Sequence, residues 1–492
     1  MKRILTLVKS LGTAAAVLLL GMISAQAATL TVTTAADAGI GSLRQALITA
    51  VFNAEANNIV FAIPTTDPGY NAGTNRFTIS ILAPLPNIPL AATTITNTQT
   101  QNVTVQGNDT FQIFVLVNSA VVVINNITIS RGFGLNGGGI YMGDSGTLTL
   151  NDCTVSNNAA INLGGGIYMS NSGTLHTNRS SFSLNNASDG GAIFTFVSGT
   201  VNLNTSTLNG NSATNSGGAI YIGVSGTLNG SHSTFSGNSA ANDGGAIVNF
   251  ATITLTSNTL TGNLAGRGGG VANFGAAATL NNNIVALNTA AAGSDLLGDG
   301  AVGNPFTGTY NLLGDSDDSA GLNTGTNMSG TSGLPLDPRI GALGFNGGWT
   351  RTHALLFDSP AIDQGNDPGY TTDQRGWVRP VDNAVVANAG DGSDMGSFEH
   401  SFAPSAANVS ISGRVVTSQG KDAWGIANAS ITVTASDGVS WTARSNAFGF
   451  FSLTEIPAGA TYLITVTHKR YTFEAQSLNV VDNVEGLTFI SN

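Results

Sequence analysis

The stretch GGAIYIGVSGTLNGSHSTFSGNSAANDGGAI, residues 217–247, begins and ends on the same four residues, Gly217-Gly218-Ala219-Ile220 and Gly244-Gly245-Ala246-Ile247. Moving outward from it, the motif Gly-Gly-(Gly/Ala)-(Ile/Val) ends at Ile140, Ile167, Ile193, Ile220, Ile247 and Val271, in steps of 27, 26, 27, 27 and 24 residues. A period this regular marks a solenoid, whose units bury their apolar faces against one another. Between these motifs runs a second apolar row, Leu148, Leu175, Val201, Leu228, Ile253 and Leu280, and then a third, Val155, Phe182, Leu208, Phe235, Leu260 and Val285. Each segment is short, β-prone and bounded by Gly, Asn and Ser, so each reads as a strand.

Three strands per coil of about 26 residues predict a parallel β-helix, and crossover sterics predict a right-handed one. Asn158, Asn185, Asn211, Asn238, Asn263 and Asn288 stand three residues past the third row in all six coils. Asn tolerates the left-handed conformation and carries both donor and acceptor, so this column is expected to be a structural ladder along the axis. Cys153, Ser180, Ser206, Ser233, Asn258 and Asn283 form a parallel column of small side chains, which places Cys153 in a packed position. The body is expected over residues 28–330, in 11 or 12 turns. The helical segment Ser42 to Asn53 would cap its N-terminal end, because open strand edges invite aggregation.

Composition narrows the function. Seventeen Lys+Arg against 28 Asp+Glu give a net charge of −11, and only 9% of residues are charged. So few cations cannot neutralise a nucleic-acid backbone. Residues 1–27 read as a secretory signal: Lys2, Arg3 and Lys9, an apolar run from Leu11 to Met22, and Ala25-Gln26-Ala27 at the cleavage site. No later apolar stretch is long enough for a membrane-spanning helix, so none is expected in the mature chain. One cysteine excludes an intrachain disulfide.

Family resemblances enter at four places. Asp37-Ala38-Gly39-Ile40-Gly41-Ser42-Leu43-Arg44-Gln45-Ala46-Leu47 resembles the N-terminal module of bacterial surface β-helix proteins named for the motif C-S-L-R-E-A, with Gly41 and Gln45 in place of its Cys and Glu. The coils, with Ser233 to Ala240 (STFSGNSA), resemble the repeats of polymorphic outer-membrane proteins. His353 to Leu356, Ser359-Pro360-Ala361-Ile362-Asp363-Gln364-Gly365, Thr372-Asp373-Gln374-Arg375-Gly376, Arg379-Pro380 and Asp394-Met395-Gly396-Ser397-Phe398-Glu399 resemble the choice-of-anchor Q domain. That resemblance implies a C-terminal cap over residues 331–403, in which Asp363, Asp373, Arg375, Arg379, Asp394 and Glu399 form a polar network. Residues 404–492, with Ile411-Ser412-Gly413-Arg414-Val415 and Ile456-Pro457-Ala458-Gly459, resemble carboxypeptidase regulatory-like domains, which are small β-sandwiches and not peptidases.

Chemistry is thin in the clear coils. From Arg131 to Ala290 there is no Glu and no Lys. Asp189 and Asp243 share a column with Ser216 between them and Arg267 next, which is the one arrangement open to polysaccharide cleavage. The competing reading is an exposed Asp243–Arg267 ion pair beside a solvated Asp189. Asp315, Asp317 and Asp318 offer oxygens to Ca²⁺ but lack the glycine and closing glutamate of an EF-hand, so a solvated loop, and no cofactor, is expected. The expectation is an all-β, non-catalytic secreted or cell-surface protein that serves in adhesion or in binding extracellular polysaccharide or matrix, its partner a polysaccharide or another surface protein. The alternative is a polysaccharide lyase or glycoside hydrolase on a pectate-lyase-like β-helix.

Overall fold

A computed structural model describes residues 27–491 apart from 54, 89–90, 118, 276, 299–305, 320, 323, 384–385, 402–407, 418–423, 436–437 and 481–482. The segment read as a signal falls, except for Ala27, outside the described residues. From Ala28 the chain winds a parallel β-solenoid of about 10 turns and about 26 residues per turn. In one coil, Ile140–Met142 lies in an eight-stranded sheet, Thr147–Asn151 in an eleven-stranded sheet and Thr154–Ser156 in a twelve-stranded sheet. We call these the third, first and second sheets. A fourth, of five strands from Phe133–Asn136 to Ser239–Ala240, lies between the second and third. The three-strand reading missed it because its buried row is only alanine, at Ala160, Ala187, Ala213 and Ala240, set among polar residues as in Asn186–Asp189, and so small a side chain gives little apolar signal.

Alternation sets the faces. In Thr147–Asn151 only Leu148 and Leu150 are buried, and equivalent rows fill the interior from Val32 to Leu322. The first and third apolar rows of the repeat pair as read, Ile140 with Ile167 and Val155 with Phe182. The middle row needs one correction. Ile253 pairs with Ala278, and Leu280 pairs with Leu255. A slip of two residues keeps the same face inward, so periodicity alone cannot detect it.

The glycine motif has a steric origin. Gly217 and Gly244 turn the corner at φ +70° and +64°. A Cβ on Gly218 or Gly245 would lie 2.2 or 2.3 Å from a carbonyl oxygen of the next coil. The corner between the first and second sheets is left-handed as well, at Asp152, Arg179, Thr205, His232, Ser257 and Asn282, with φ between 46° and 60°.

At the N-terminal end the helix Leu43–Phe52 is capped by Ser42, whose Oγ accepts from the Gln45 N–H at 3.2 Å. Its buried Leu43 and Leu47 join the core beside Val32 and Ile59. The expected C-terminal cap lies elsewhere. The described residues of 339–400, the buttress below, pack along the flank of the rod on the outward face of the second sheet. There Ala354, Leu355, Ile362, Met395 and Phe398 cover Ile284, Ala286 and Leu312. Those three residues explain the displacement: they are apolar where earlier coils put Thr and Ser outward, so this part of the sheet needs a cover. The chain ends in strands Asn408–Val416 to Val484–Ile490, a three-stranded and a four-stranded sheet packed around Ile411, Ile431, Ile464 and Phe489. No helix among the described residues is long and apolar enough to cross a membrane.

Candidate functional site

The six-asparagine column runs through the buried interior. Asn158 Nδ2 donates to Asn185 Oδ1 at 2.9 Å and to the Ile129 carbonyl at 3.1 Å, and its backbone N–H donates to the same Oδ1 at 3.1 Å. Asn185, Asn211, Asn238 and Asn263 repeat this set. Each of these side chains thus spends both amide hydrogens, and its oxygen accepts twice, or once from the Gly132 N–H at Asn158, so the column is committed to itself and the backbone. Asn288 ends the run on Asp295, whose carboxyl is pushed up to about 6 by burial. The second column bonds likewise, from the Cys153 N–H to Ser180 Oγ at 3.1 Å down to Asn283, Asn311 and Asn327. Burial pushes the Cys153 thiol up to about 12, which keeps it from acting as a nucleophile.

The acidic column on the fourth sheet divides into two arrangements. Arg267 Nε donates to Asp243 Oδ1 at 2.7 Å, and its guanidinium lies 5.4 Å from the Phe274 ring centre. Asp189 accepts from Asn215 Nδ2 at 2.7 Å and from the Ser216 N–H at 3.1 Å. Burial raises its pKa against these hydrogen bonds. Each carboxylate therefore has partners of its own. The acidic loop divides too. Asp315 accepts from the Asp317 N–H, Asp317 from Ser332, and Asp318 from the Gly293 N–H. Among the described residues no group of three His, Cys, Asp or Glu is placed to hold a metal ion.

All six polar residues of the anchor-like segment are buried together. Arg375 pairs with Asp373 at 2.7 Å and donates to the Glu399 carbonyl at 2.6 Å, with its guanidinium over the Phe398 ring. Arg379 Nε lies 3.0 Å from Asp367 and 3.4 Å from Glu399. Asp394 accepts from the Asp363 and His400 N–H groups, and Glu399 from those of Val381 and Asp394. Burial, and then the Glu399 charge, push Asp394 well above the usual carboxylate range, and burial pushes Glu399 up to about 7 although Arg379 pulls it down. Asp363 is pushed up to about 6 by burial, and His400 down to about 4 for the same reason.

Contacts between buttress and rod were hidden from sequence reasoning. Gln374 Nε2 donates to Thr207 Oγ1 at 3.0 Å and Thr350 Oγ1 at 2.9 Å, while its Oε1 accepts from Thr234 Oγ1 at 2.6 Å. His232 Nε2 lies 2.8 Å from Asp367 Oδ2, and Asn282 Nδ2 donates to the Asp394 carbonyl. The one usable signal was position, since Thr207, Thr234 and Thr259 recur in the outward column of the second sheet. An aromatic stack was also missed. Tyr141, Tyr168, Phe194, Tyr221, Phe250 and Phe274 follow one another along the third sheet at centroid distances of 4.6–5.9 Å. Its first four members each follow a motif isoleucine.

Two family matches fall on this geometry. Residues 410–489, the terminal sandwich, match the carboxypeptidase regulatory-like domain. Residues 205–223 and 232–249 match the Chlamydia polymorphic membrane protein repeat. Each copy spans a left-handed corner (Thr205, His232), an axial asparagine (Asn211, Asn238) and a glycine motif. No curated protein and no solved structure matches the chain. Fold and matches together define a β-solenoid built on surface-type repeats, with a small sheet domain after it.

Proposed function

We propose that this chain is an exported, non-catalytic surface protein, in which the solenoid displays binding faces for extracellular polysaccharide or matrix and the terminal sandwich serves as attachment or spacer. The observation that carries the reading is the match of two consecutive coils to the Chlamydia polymorphic membrane protein repeat, within a rod whose first sheet turns Thr and Asn outward, with His176 among them. Uncharged hydrogen-bonding groups at a fixed axial spacing suit recognition of an extended partner more than the chemistry of one bond. The test is fractionation of cells and medium together with a glycan and matrix-protein array probed with the secreted chain. Surface or medium location with saturable binding is the expected result. A cytosolic location would overturn it.

The catalytic alternative rests on Asp189, Asp243 and Arg267. Asp243 is committed to Arg267, and an inverting mechanism needs its two carboxylates to act on one bond. Release of reducing or unsaturated sugar ends by the wild type, lost in Asp189→Asn, would establish the enzyme in place of the display protein.

A further inference from the structure

The outward face of the first sheet carries two adjacent side-chain columns. His176, Asn202 and Asn229 are in register in one, and Asn178, Asn204 and Ser231 in the other. The coil spacing puts successive members about 4.8 Å apart, and the two-residue repeat puts the columns about 7 Å apart. Asn229 Nδ2 donates to Asn202 Oδ1 at 2.9 Å, and Asn202 Nδ2 lies 3.3 Å from His176 Nδ1. In the other column Ser231 Oγ donates to Asn204 Oδ1 at 3.2 Å, and Asn204 Nδ2 to Asn178 Oδ1 at 3.4 Å. The buried asparagine column saturates its amides. Here one hydrogen of Asn202 and one of Asn229 are committed along the axis, and each of these groove-lining amides has a second to offer. The axial bonds fix the rotamers beforehand, which lowers the ordering cost of binding.

These columns floor a groove of about 220 Å³ whose side wall is Tyr370, brought there by the buttress. Tyr370 packs on His232 at 4.4 Å between ring centres and remains 42% exposed. No Asp, Glu, Lys or Arg lines the groove. A floor of aligned amides beside an exposed aromatic ring fits a pyranose unit, whose hydroxyls need donors and acceptors and whose C–H face packs on a ring. A uronate or sulfate would be desolvated there with no opposite charge to meet it.

We infer that this groove binds a neutral linear polysaccharide lying along the solenoid axis, with Tyr370 as its stacking platform and Asn202 and Asn229 as its hydrogen-bonding floor. The inference rests on the display reading above and assigns it a site and a charge class. The floor favours a polymer over a single sugar, since it runs on along the axis: Thr254 and Thr256 of the next coil stand in register with Asn229 and Ser231 and offer hydroxyls to the next unit.

The experiment is isothermal titration of the full secreted chain with hexamers of β-1,4-glucan, β-mannan and xylan, and with oligogalacturonate, for wild type, Tyr370→Ala, Tyr370→Phe and Asn229→Ala. At least one neutral hexamer should bind and oligogalacturonate should not. Tyr370→Ala and Asn229→Ala should each weaken binding about tenfold, while Tyr370→Phe retains it. Unchanged melting temperatures, measured in parallel, separate a lost contact from a lost fold, and the exposed Asn229 keeps the test open if Tyr370→Ala unfolds the buttress. Absence of neutral-glycan binding, or binding indifferent to both alanine variants, overturns the site. If the chain is then still on the surface and binds acidic glycan or matrix protein, the display reading stands without it. A cytosolic, non-binding chain ends both.

Discussion

Asn288 donates both its backbone N–H and its side-chain Nδ2 to a single oxygen of Asp295, at 3.1 and 2.8 Å. The other carboxylate oxygen accepts from the Asp315 N–H at 2.7 Å. A carboxylate can close the column in both directions at once, whereas an asparagine would turn an N–H towards the Asp315 N–H.

Asp295→Asn therefore changes the pH dependence of folding. The folded-state pKa of about 6 lies above the ordinary 3.8, so the folded chain binds the proton more tightly than the unfolded one. Wild-type stability rises relative to the variant as pH falls from about 6 towards 4, by about 3 kcal/mol at most. Denaturant melts at pH 7.5, 6, 5 and 4 measure the difference, and parallel profiles for the two proteins would refute it.

Asn211→Ala removes the acceptor of two Asn185 donors and opens the column at mid-rod. Buried groups left unpaired cost about 1–3 kcal/mol each, so a loss of about 3 kcal/mol or more is expected. Chemical denaturation reads this directly; a loss below about 1 kcal/mol would mean that water or a neighbouring coil replaces the amide.

Gly218→Ala should fail more completely than Ala219→Gly. The added methyl would meet the Gly245 carbonyl oxygen at 2.2 Å, and this contact is backbone on both coils. Soluble yield and circular-dichroism melting compare the two variants. A folded Gly218→Ala with wild-type melting would show that the coils can move apart without penalty.

Gln374→Ala should release the buttress and leave the rod standing. It strips buried partners from Thr207, Thr234 and Thr350, yet touches no residue of the interior rows. Hydrogen exchange should speed up over 350–400 while protection at Leu208 and Phe235 persists. Uniform loss of protection in both regions would show instead that rod and buttress unfold as one unit.

The Asp394–Glu399 pair gives the buttress a pH dependence of its own. Both pKa values are raised by burial, so the stability they contribute is lost as pH rises through the folded values. His400 opposes this at lower pH: its folded pKa of about 4 lies below the ordinary 6.5, so stability falls as pH drops below 6.5. Buttress protection, taken relative to the base-catalysed intrinsic exchange rate at each pH, should therefore rise as pH falls from 8 to about 6.5, and protection that stays level or falls over that window would contradict the assignment.

The sequence by itself determined whatever repeats at one-coil spacing. Ile140 pairs with Ile167, Val155 with Phe182, and Asn158 bonds Asn185, because a contact between equivalent positions leaves the same residue type at every period. Register within a face was less legible. Ala278 and Leu280 both point inward, and only the hydrogen-bonded ladder selects Ala278 as the partner of Ile253. Tertiary structure alone decided where the aperiodic segment goes. Gln374 meets Thr207 across 167 residues, His232 meets Asp367 across 135, and Tyr370 forms a groove wall over a sheet it does not belong to. Such contacts depend on shape and on isolated polar pairs. They occur once, so no period in the chain announces them.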